Sequence, residues 1–205
     1  MMLITDIAEY TRSKYKIYID DVFAFVLYKG EIHKLGLEKG KKIKDETLEL
    51  IQNEILPKRA KLRAMNLLQK RPYTEYEMRD KLSKNLYDNE VIDIAIDYLK
   101  SFGYIDDKAY VTQYIDTYTE QRSVKTIINK LMQKGIDKRL IYEVIEEKRE
   151  NDELGNEDAM IKKILQRRGF DPDTADIKEI AKTARFLYSK GFESSAISRV
   201  MKHDF

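Results

Sequence analysis

The sequence of 205 residues lacks several features on which common kinds of function depend. It has no cysteine, which excludes disulfides, thiol catalysis and cysteine-based zinc sites. Its two histidines, His33 and His203, are too few for a histidine-rich metal site or for most proton-relay chemistry. No stretch approaches the roughly 18 apolar residues of a membrane-spanning helix, and the first residues lack the pattern of a secretory signal. These absences favour a cytoplasmic protein that acts by binding and needs no cofactor.

Motifs that carry catalysis are also missing. Residues 36–41 contain two glycines without the GxxxxGK[ST] spacing of a phosphate-binding loop, and the GxSxG pattern of a nucleophile elbow does not occur. Asp106 and Asp107 are adjacent carboxylates, as in some metal sites. A helix cap at Asp106, followed by a carboxylate that offsets the helix dipole, explains the pair better. We therefore predict no enzymatic activity, no catalytic residue and no bound metal.

The charges are nearly balanced. There are 38 basic and 36 acidic residues, for a net charge of +2, and no part of the chain is strongly basic. A dedicated nucleic-acid-binding protein normally shows a marked basic excess, so the composition mildly disfavours DNA as the main ligand. Helices can still collect basic residues on one face, which a count along the chain does not detect.

Residues 1–57 have the pattern of a small β-rich module. Residues 16–19 and 22–26 are rich in β-branched and aromatic side chains, and Asp20-Asp21 between them fits a two-residue hairpin turn. Residues 3–10 are expected to pair alongside as a third strand. This module therefore differs in fold class from the rest of the chain.

Two helices are predicted within the same module. The first covers residues 31–35 and ends at Gly36. The second begins with Asp45 as its N-cap and ends at Pro57, because proline disfavours the interior of a helix.

From residue 58 onward the pattern is helical, and the ends of the helices can be recognised. Thr74 and Glu77 form a capping box, in which each side chain accepts a hydrogen bond from the other residue's amide. Asp88, Ser123 and Asp137 are predicted N-caps of later helices. The chain is therefore predicted to be mainly α-helical.

Three leucines, Leu82, Leu131 and Leu187, bring these helices into register. They lie 49 and 56 residues apart, and each is followed at fixed offsets by an apolar residue, an acid and an isoleucine. The matching positions are Tyr87, Ile136 and Phe192, then Asp88, Asp137 and Glu193, then Ile92, Ile141 and Ile197. We predict three tandem three-helix repeats, at residues 58–107, 108–155 and 156–205, stacked in an elongated curved array.

Two further patterns have more than one interpretation. Residues 167–170, Arg-Arg-Gly-Phe, have the composition of an anion clamp, but basic residues before a glycine are also ordinary at helix ends. The fourteen tyrosines can stack on nucleic-acid bases. Contact between helices is the simpler role for five of them: Tyr98, Tyr104, Tyr110, Tyr114 and Tyr142.

Four motifs in the helical part have the order and spacing of a known family. They are Leu68-x-x-Arg71-x-x-Thr74-x-x-Glu77-Met78-x-x-x-Leu82, Leu99-x-x-x-Gly103-Tyr104-Ile105-Asp106-Asp107, Leu131-x-x-x-Gly135-Ile136 and Leu187-x-x-x-Gly191-Phe192. With them the chain resembles the RecX family, regulators of the bacterial recombinase RecA. Residues 3–57 resemble the N-terminal extension of Gram-positive-type members, through Ile17-Tyr18-Ile19-Asp20-Asp21-x-Phe23-Ala24-Phe25 and Leu35-x-Leu37-x-x-Gly40.

This resemblance implies a regulatory role in homologous recombination, DNA repair and the SOS response. The chain is expected to dock as a monomer on the RecA–DNA filament and, mostly, to inhibit ATP turnover and strand exchange, with at most weak direct DNA contact. The candidate partner-binding residues are Arg71, Arg122, Lys125, Lys130, Arg167, Arg168 and Lys190. The family-motif residues Gly103, Tyr104, Asp106, Asp107, Gly135, Gly191 and Phe192 are expected to be structural.

The sequence departs from the family pattern at two places. Ser189-Lys190 carries one charge where many members have a basic pair, and Arg122-Ser123-Val124 stands where the middle repeat usually has Lys-Gly. Lys125, Lys130 and Lys134 can supply the missing charge. The alternative hypothesis is a protein that binds DNA directly through helix-turn-helix-like pairs of helices.

Overall fold

The computed structural model describes residues 2–171 and 173–202, so His203 lies outside the described residues. The chain divides into two compact units, Met1–Asp106 and Asp107–Phe205. The predicted fold class, mainly helical with a small N-terminal β-rich part, is confirmed. Within the described ranges, no helix is both long and apolar enough to cross a membrane.

The first unit begins with a four-stranded antiparallel sheet. Its strands are β1 (Met2–Thr11), β2 (Lys14–Ile19), β3 (Val22–Tyr28) and β4 (Lys42–Ile43), in the order β3-β2-β1-β4. The predicted turn is confirmed, since Asp20 and Asp21 both have positive φ, at 48° and 64°. Two such residues match the right-handed twist of a hairpin, and aspartate tolerates this conformation better than most residues. The two-residue strand β4 was not predicted.

Two predictions about the helix before the first repeat are wrong. Helix α2 (Asp45–Leu50) has Lys44 as its N-cap, so Asp45 is its first helical residue. The helix also does not end at Pro57. It continues through a π-helical turn, Ile51–Ile55, into α3 (Leu56–Leu68), where Pro57 occupies the first turn. The wider turn interrupts the regular hydrogen-bond ladder just ahead of the proline, which cannot donate to that ladder.

The sheet and the helices of this unit share one hydrophobic core. The short helix α1 (Lys29–Lys34) follows β3, and α4 (Glu75–Ser83) and α5 (Asn89–Ser101) follow α3. Ile17 and Leu27 of the sheet belong to the same buried cluster as Leu82 and Leu99 of the helices. Residues 2–57 are therefore packed on the helices that follow them in the chain.

Among the described residues of the second unit, every element of regular secondary structure is a helix. These helices are α6 (Asp107–Tyr118), α7 (Val124–Gln133), α8 (Lys138–Glu150), α9 (Glu157–Arg167), α10 (Ile177–Ser189) and α11 (Ser194–Met201). They form two hydrophobic clusters, one contributed by α6 to α8 and the other by α9 to α11. Buried Lys148 lies near the first cluster, and its Nζ pairs with Asp116 at 2.6 Å and Glu153 at 2.9 Å.

The three leucines that set the sequence register have the same structural environment. Leu82, Leu131 and Leu187 are fully buried, and each carbonyl accepts a hydrogen bond from the amide five residues later, at 3.3–3.4 Å. The residue four positions after each leucine has positive φ: 63° at Leu86, 78° at Gly135 and 86° at Gly191. This hydrogen bond closes a helix with a left-handed residue. The helix ends therefore recur, while the division at residues 57, 107 and 155 stays a prediction.

Candidate functional site

The start of α7 is joined to the end of α10 by hydrogen bonds to one carbonyl. Ser123, the N-cap of α7, is buried and donates from Oγ to the Lys190 carbonyl oxygen at 3.0 Å. Thr126 Oγ1 donates to the same oxygen at 2.9 Å. The last carbonyls of a helix have no partner within the helix, so these hydroxyls satisfy one of them. The two bonds position Lys190 next to the first turn of α7.

Two glycines allow close approach between segments around this junction. A Cβ at Gly191 would lie 2.7 Å from Ser123 Oγ and 2.8 Å from Thr126 Oγ1. A Cβ at Gly155 would overlap the Thr119 carbonyl, and the Gly155 amide donates to Thr119 Oγ1 at 2.7 Å. A side chain at either position would push the segments apart. The junction therefore depends on Gly191, and Gly155 allows a separate close approach to Thr119.

Three of the predicted partner-binding cations surround the last turn of α10. The Arg168 guanidinium lies over the Phe186 ring at 4.1 Å, and Lys190 Nζ lies 5.5 Å from the centre of the same ring. Lys125 Nζ lies 5.4 Å from the Tyr188 ring. We call these five residues the basic–aromatic cluster. Its three cations and Tyr188 are exposed, whereas Phe186 is half-buried.

The cluster holds its positive charges without neutralising them. An aromatic ring attracts a cation through its quadrupole but has no net charge. Within the part of the chain that the structure describes, Lys125, Arg168 and Lys190 form no ion pair with a carboxylate. The acidic partner of Arg199, by contrast, is Asp158, which accepts two hydrogen bonds at 2.6 and 2.7 Å. The cluster is therefore a concentrated, accessible positive charge.

The other predicted cations of the second unit lie elsewhere or are engaged. Arg167 is exposed at the end of α9, next to Arg168. Arg122 donates to the Tyr114 hydroxyl at 2.8 Å and lies over the Tyr118 ring at 4.0 Å. Lys130 is exposed on α7 and donates to Gln133.

Arg71, in the first unit, supports the start of α4. It forms an ion pair with Glu77 at 3.1 Å, donates to the Pro72 carbonyl and stacks on the Tyr73 ring at 3.7 Å. Glu77 also completes the predicted capping box, since Thr74 Oγ1 accepts from its amide at 3.1 Å and its carboxylate accepts from the Thr74 amide. The Arg71 side chain is therefore engaged within the protein.

The family-motif residues occupy helix ends. Gly103 has φ of 67°, and the next amide, of Tyr104, donates to Leu99 at 2.8 Å. Asp106 is exposed and precedes Asp107, the first residue of α6. Gly135 and Gly191 end α7 and α10, and buried Phe192 follows Gly191. Among the described residues, no group of acidic or histidine side chains has an arrangement suited to a metal ion.

The five tyrosines assigned to helix contacts have different environments. Tyr98 packs partly buried against the core of the first unit, and Tyr110 and Tyr114 pack against the core formed by α6 to α8. Tyr104 is 47% exposed and Tyr142 is 42% exposed. Contact between helices therefore explains the first three rings better than the last two.

Sequence reasoning missed the aromatic half of the basic–aromatic cluster. Phe186 and Lys190 are four residues apart on α10, a spacing that places side chains together and is readable in the sequence. The contact between Lys125 and Tyr188 has no such local signal, because α7 and α10 meet only in the folded protein.

Two family models match this chain, and both describe RecX. The model for the first three-helix domain of RecX matches residues 60–99, and that for the third matches residues 174–201. The regulatory protein RecX of Caldanaerobacter subterraneus is 29% identical over 202 residues, or 98% of each chain. That of Clostridium botulinum is 29% identical over 96% of this chain and 92% of its own.

The chain is similar to RecX proteins over nearly its whole length. A crystal structure of regulatory protein RecX has the same fold, with a TM-score of 0.63 and 23% sequence identity, and the match covers 99% of this chain and 100% of that one. The expectation of a family resemblance is confirmed. The related proteins are named regulatory proteins, and neither matched family model is that of an enzyme.

Proposed function

We propose that this chain is a regulatory binding protein of the RecX family that docks on the RecA–DNA filament and mostly inhibits its ATPase and strand-exchange activities. The observation that carries this proposal is the similarity to proteins named regulatory protein RecX, which extends over nearly the whole chain. The protein acts in homologous recombination, DNA repair and the SOS response. It works in the cytoplasm, as a monomer.

The basic–aromatic cluster is the surface that we assign to the filament. Its exposed cations have no carboxylate partner among the described residues, so they can pair with acidic side chains of a recombinase or with DNA phosphates. Arg167 extends the cluster at the end of α9. Arg122, Lys130 and, in the first unit, Arg71 are further candidates, but their side chains already contact other residues of the protein.

Repeated three-helix segments suit a repetitive partner. In this proposal the segments 58–107, 108–155 and 156–205 follow the β-rich module 1–57, and more than one segment contacts the filament. After one contact forms, the next gains from a high effective concentration, so several weak contacts give useful affinity. A filament with active and inactive states changes its activity when the bound protein favours one of them. Only the difference in affinity between these states has a regulatory effect.

The alternative function is direct DNA binding by helix-turn-helix-like pairs. It predicts tight binding to bare duplex DNA and a steep loss of affinity with salt, because each phosphate contact releases a counterion. The proposed function predicts weak binding to bare DNA and strong binding to DNA coated with recombinase.

The ATPase activity of RecA on single-stranded DNA tests the proposal. Adding this chain in amounts below those of the recombinase should lower the steady-state rate of ATP hydrolysis. If this chain only competed with RecA for bare DNA, it would lower the rate of ATP hydrolysis only when RecA is added last. A preformed RecA filament already covers the DNA and leaves no bare strand for the chain to bind. An unchanged rate under both orders of addition would reject the proposal.

A further inference from the structure

A pocket in the first unit, distant in sequence from the basic–aromatic cluster, collects positive charge and hydrogen-bond donors. It has a volume of about 450 Å³ and lies between the sheet, α3 and the turn after α4. Its lining residues are Lys14, Tyr28, Arg59, Leu62, Arg63, Asn66, Asn85 and Tyr87. Among the described residues, no carboxylate lines it.

One face of α3 forms the wall of this pocket. Arg59, Arg63 and Asn66 lie at positions i, i+4 and i+7, which place their side chains on the same side of a helix. Arg63 and Asn66 are exposed. Within the described part of the chain, Arg63 forms no ion pair. Its guanidinium is therefore free to bind an anion that enters the pocket.

Arg59 is held in place by the sheet. Its Nη1 donates to the Val26 carbonyl at 2.9 Å and to Glu31 at 3.2 Å, and its guanidinium stacks on the Tyr28 ring at 4.4 Å. Both of these hydrogen bonds use Nη1, and the Nη2 donors have no partner among the described residues. Lys14 Nζ lies 5.2 Å from the same Tyr28 ring and pairs with no described carboxylate. The Arg59 guanidinium is therefore positioned before a ligand binds.

The charge and donor count distinguish between kinds of anion. Three cations and the one carboxylate that contacts Arg59 leave a net charge of +2 around the pocket. Burial raises the pKa of the Tyr87 hydroxyl, so this group is a hydrogen-bond donor at neutral pH. Two arginines, a lysine, two amides and two phenols offer many more donors than a single carboxylate can use. A phosphate group, with a charge near −2 and three acceptor oxygens, fits this set better.

We propose that this pocket binds the phosphate group of a nucleotide. Its volume is in the range of roughly 300–1,000 Å³ that is usual for small-molecule sites, and it suits one nucleotide. Arg63 and Lys14 bind the phosphate oxygens, Arg59 completes the positive floor, and Leu62 with Tyr87 provides an apolar wall for the sugar or base. The nucleotide is either free or part of a single DNA strand, since both carry the same phosphate chemistry.

Binding of ATP and of a five-nucleotide single strand to the purified full-length chain at low salt tests this proposal. The readout is the change in amide chemical shifts, with ¹⁵N-labelled protein. Shifts should concentrate at residues 59–66 and 85–87. The variant R63E should bind both probes at least tenfold more weakly, whereas K58E, an equal charge change on the same helix outside the pocket, should bind like the parent.

The two sources of phosphate give different affinities. Tighter binding of the five-nucleotide strand than of ATP identifies a strand site, and equal or tighter binding of ATP identifies a free-nucleotide site. Equal affinity of R63E and K58E for the probes would overturn the proposal. The proposal would also be overturned if neither ATP nor the five-nucleotide strand bound to the chain. This holds as well if a glutamate-rich peptide, tested in the same way, bound instead. No recombinase is present, so the result is independent of the proposed filament binding.

Discussion

Ser123 and Lys190 are 67 residues apart in the chain and are joined by a hydrogen bond of 3.0 Å between the serine hydroxyl and the lysine carbonyl. Both residues stand at the places where a departure from the RecX pattern is expected from the sequence. The bond links the N-cap of α7 to the C-terminus of α10. The position of the charged Lys190 side chain therefore depends on Ser123, which belongs to the helices α6 to α8. The two places are therefore structurally connected.

Removing the Ser123 hydroxyl should destabilise the second unit. Ser123→Ala removes both the helix cap and a bond to the Lys190 carbonyl at a buried position, which together cost about 1–2 kcal/mol. Chemical denaturation measures the free energy of unfolding. Ser189→Ala is the matched control, because Ser189 is exposed and bonds only within α10; its effect should stay within about 0.5 kcal/mol. Equal effects of the two substitutions would contradict the assigned role of Ser123.

Two helix-ending glycines should respond differently to alanine. Gly169 and Gly191 both have positive φ, so alanine costs about 1–2 kcal/mol in strain at either position. A Cβ at Gly169 meets no atom within 4 Å, whereas at Gly191 it meets the hydroxyls of Ser123 and Thr126. Gly191→Ala should therefore lower the free energy of unfolding by at least about 1 kcal/mol more than Gly169→Ala does. Equal losses would show that the close approach at Gly191 has no energetic consequence.

Leu86 should tolerate replacement by glycine unusually well. It occupies the left-handed position that Gly135 and Gly191 occupy at the corresponding helix ends. Glycine at this position relieves about 1–2 kcal/mol of backbone strain in the folded protein. Two effects destabilise the variant and offset this gain: the loss of the contacts of a half-buried leucine and the greater conformational freedom of the unfolded chain. The free energy of unfolding of Leu86→Gly should stay within about 1 kcal/mol of the parent. Leu82→Ala, at a fully buried site, should cost about 2–5 kcal/mol. A similar loss in both variants would contradict the strain assigned to Leu86.

The ion pair between Asp158 and Arg199 should make stability depend on acid pH. Hydrogen bonds from Arg199 lower the pKa of the Asp158 carboxyl below its ordinary value of 3.8. The resulting stabilisation is present above pH 3.8 and is lost as the pH falls through the lowered pKa. Asp158→Asn should therefore lower the melting temperature at pH 6–7, and the difference from the parent should shrink as the pH falls below about 4.

Arg199→Gln is the control for this pH dependence. In that background Asp158→Asn should have a clearly smaller further effect, because Arg199 is already absent and only the interactions of Asp158 with the start of α9 and with Lys162 remain. Additive effects of the two substitutions would show that the pair does not stabilise the fold.

Local sequence rules predicted many of the elements of this fold. The turn at Asp20-Asp21, the capping box at Thr74 and the N-caps at Asp88, Ser123 and Asp137 follow from chemistry within a few residues, and all are confirmed. Each of these features depends on residues only a few positions apart, so the amino-acid sequence alone is sufficient to recognise it.

The failures have identifiable physical causes. The sequence predicts a helix end at Pro57, but a π-helical turn ahead of the proline lets the helix continue into α3. The two-residue strand β4 is too short to have a pattern. The ring of Tyr188 near Lys125 depends on the packing of α7 against α10, which no local spacing encodes. The basic–aromatic cluster is therefore formed by long-range contacts. The sequence alone shows its cations only as residues scattered along the chain.

We propose that the basic–aromatic cluster binds recombinase-coated DNA, and a comparison of affinities tests this directly. Fluorescence anisotropy of the labelled chain measures its affinity for RecA-coated and for bare single-stranded DNA. Three proteins are compared: the parent, R168E/K190E and the matched control K163E/K178E. The two control residues are exposed on α9 and α10, outside the cluster. The parent should bind the coated strand at least tenfold more tightly than the bare strand. R168E/K190E should lose at least tenfold in affinity for the coated strand, and the control should lose less than threefold. Equal binding of coated and bare strands, or equal losses in the two double variants, would show that the cluster is not a binding surface for the recombinase filament.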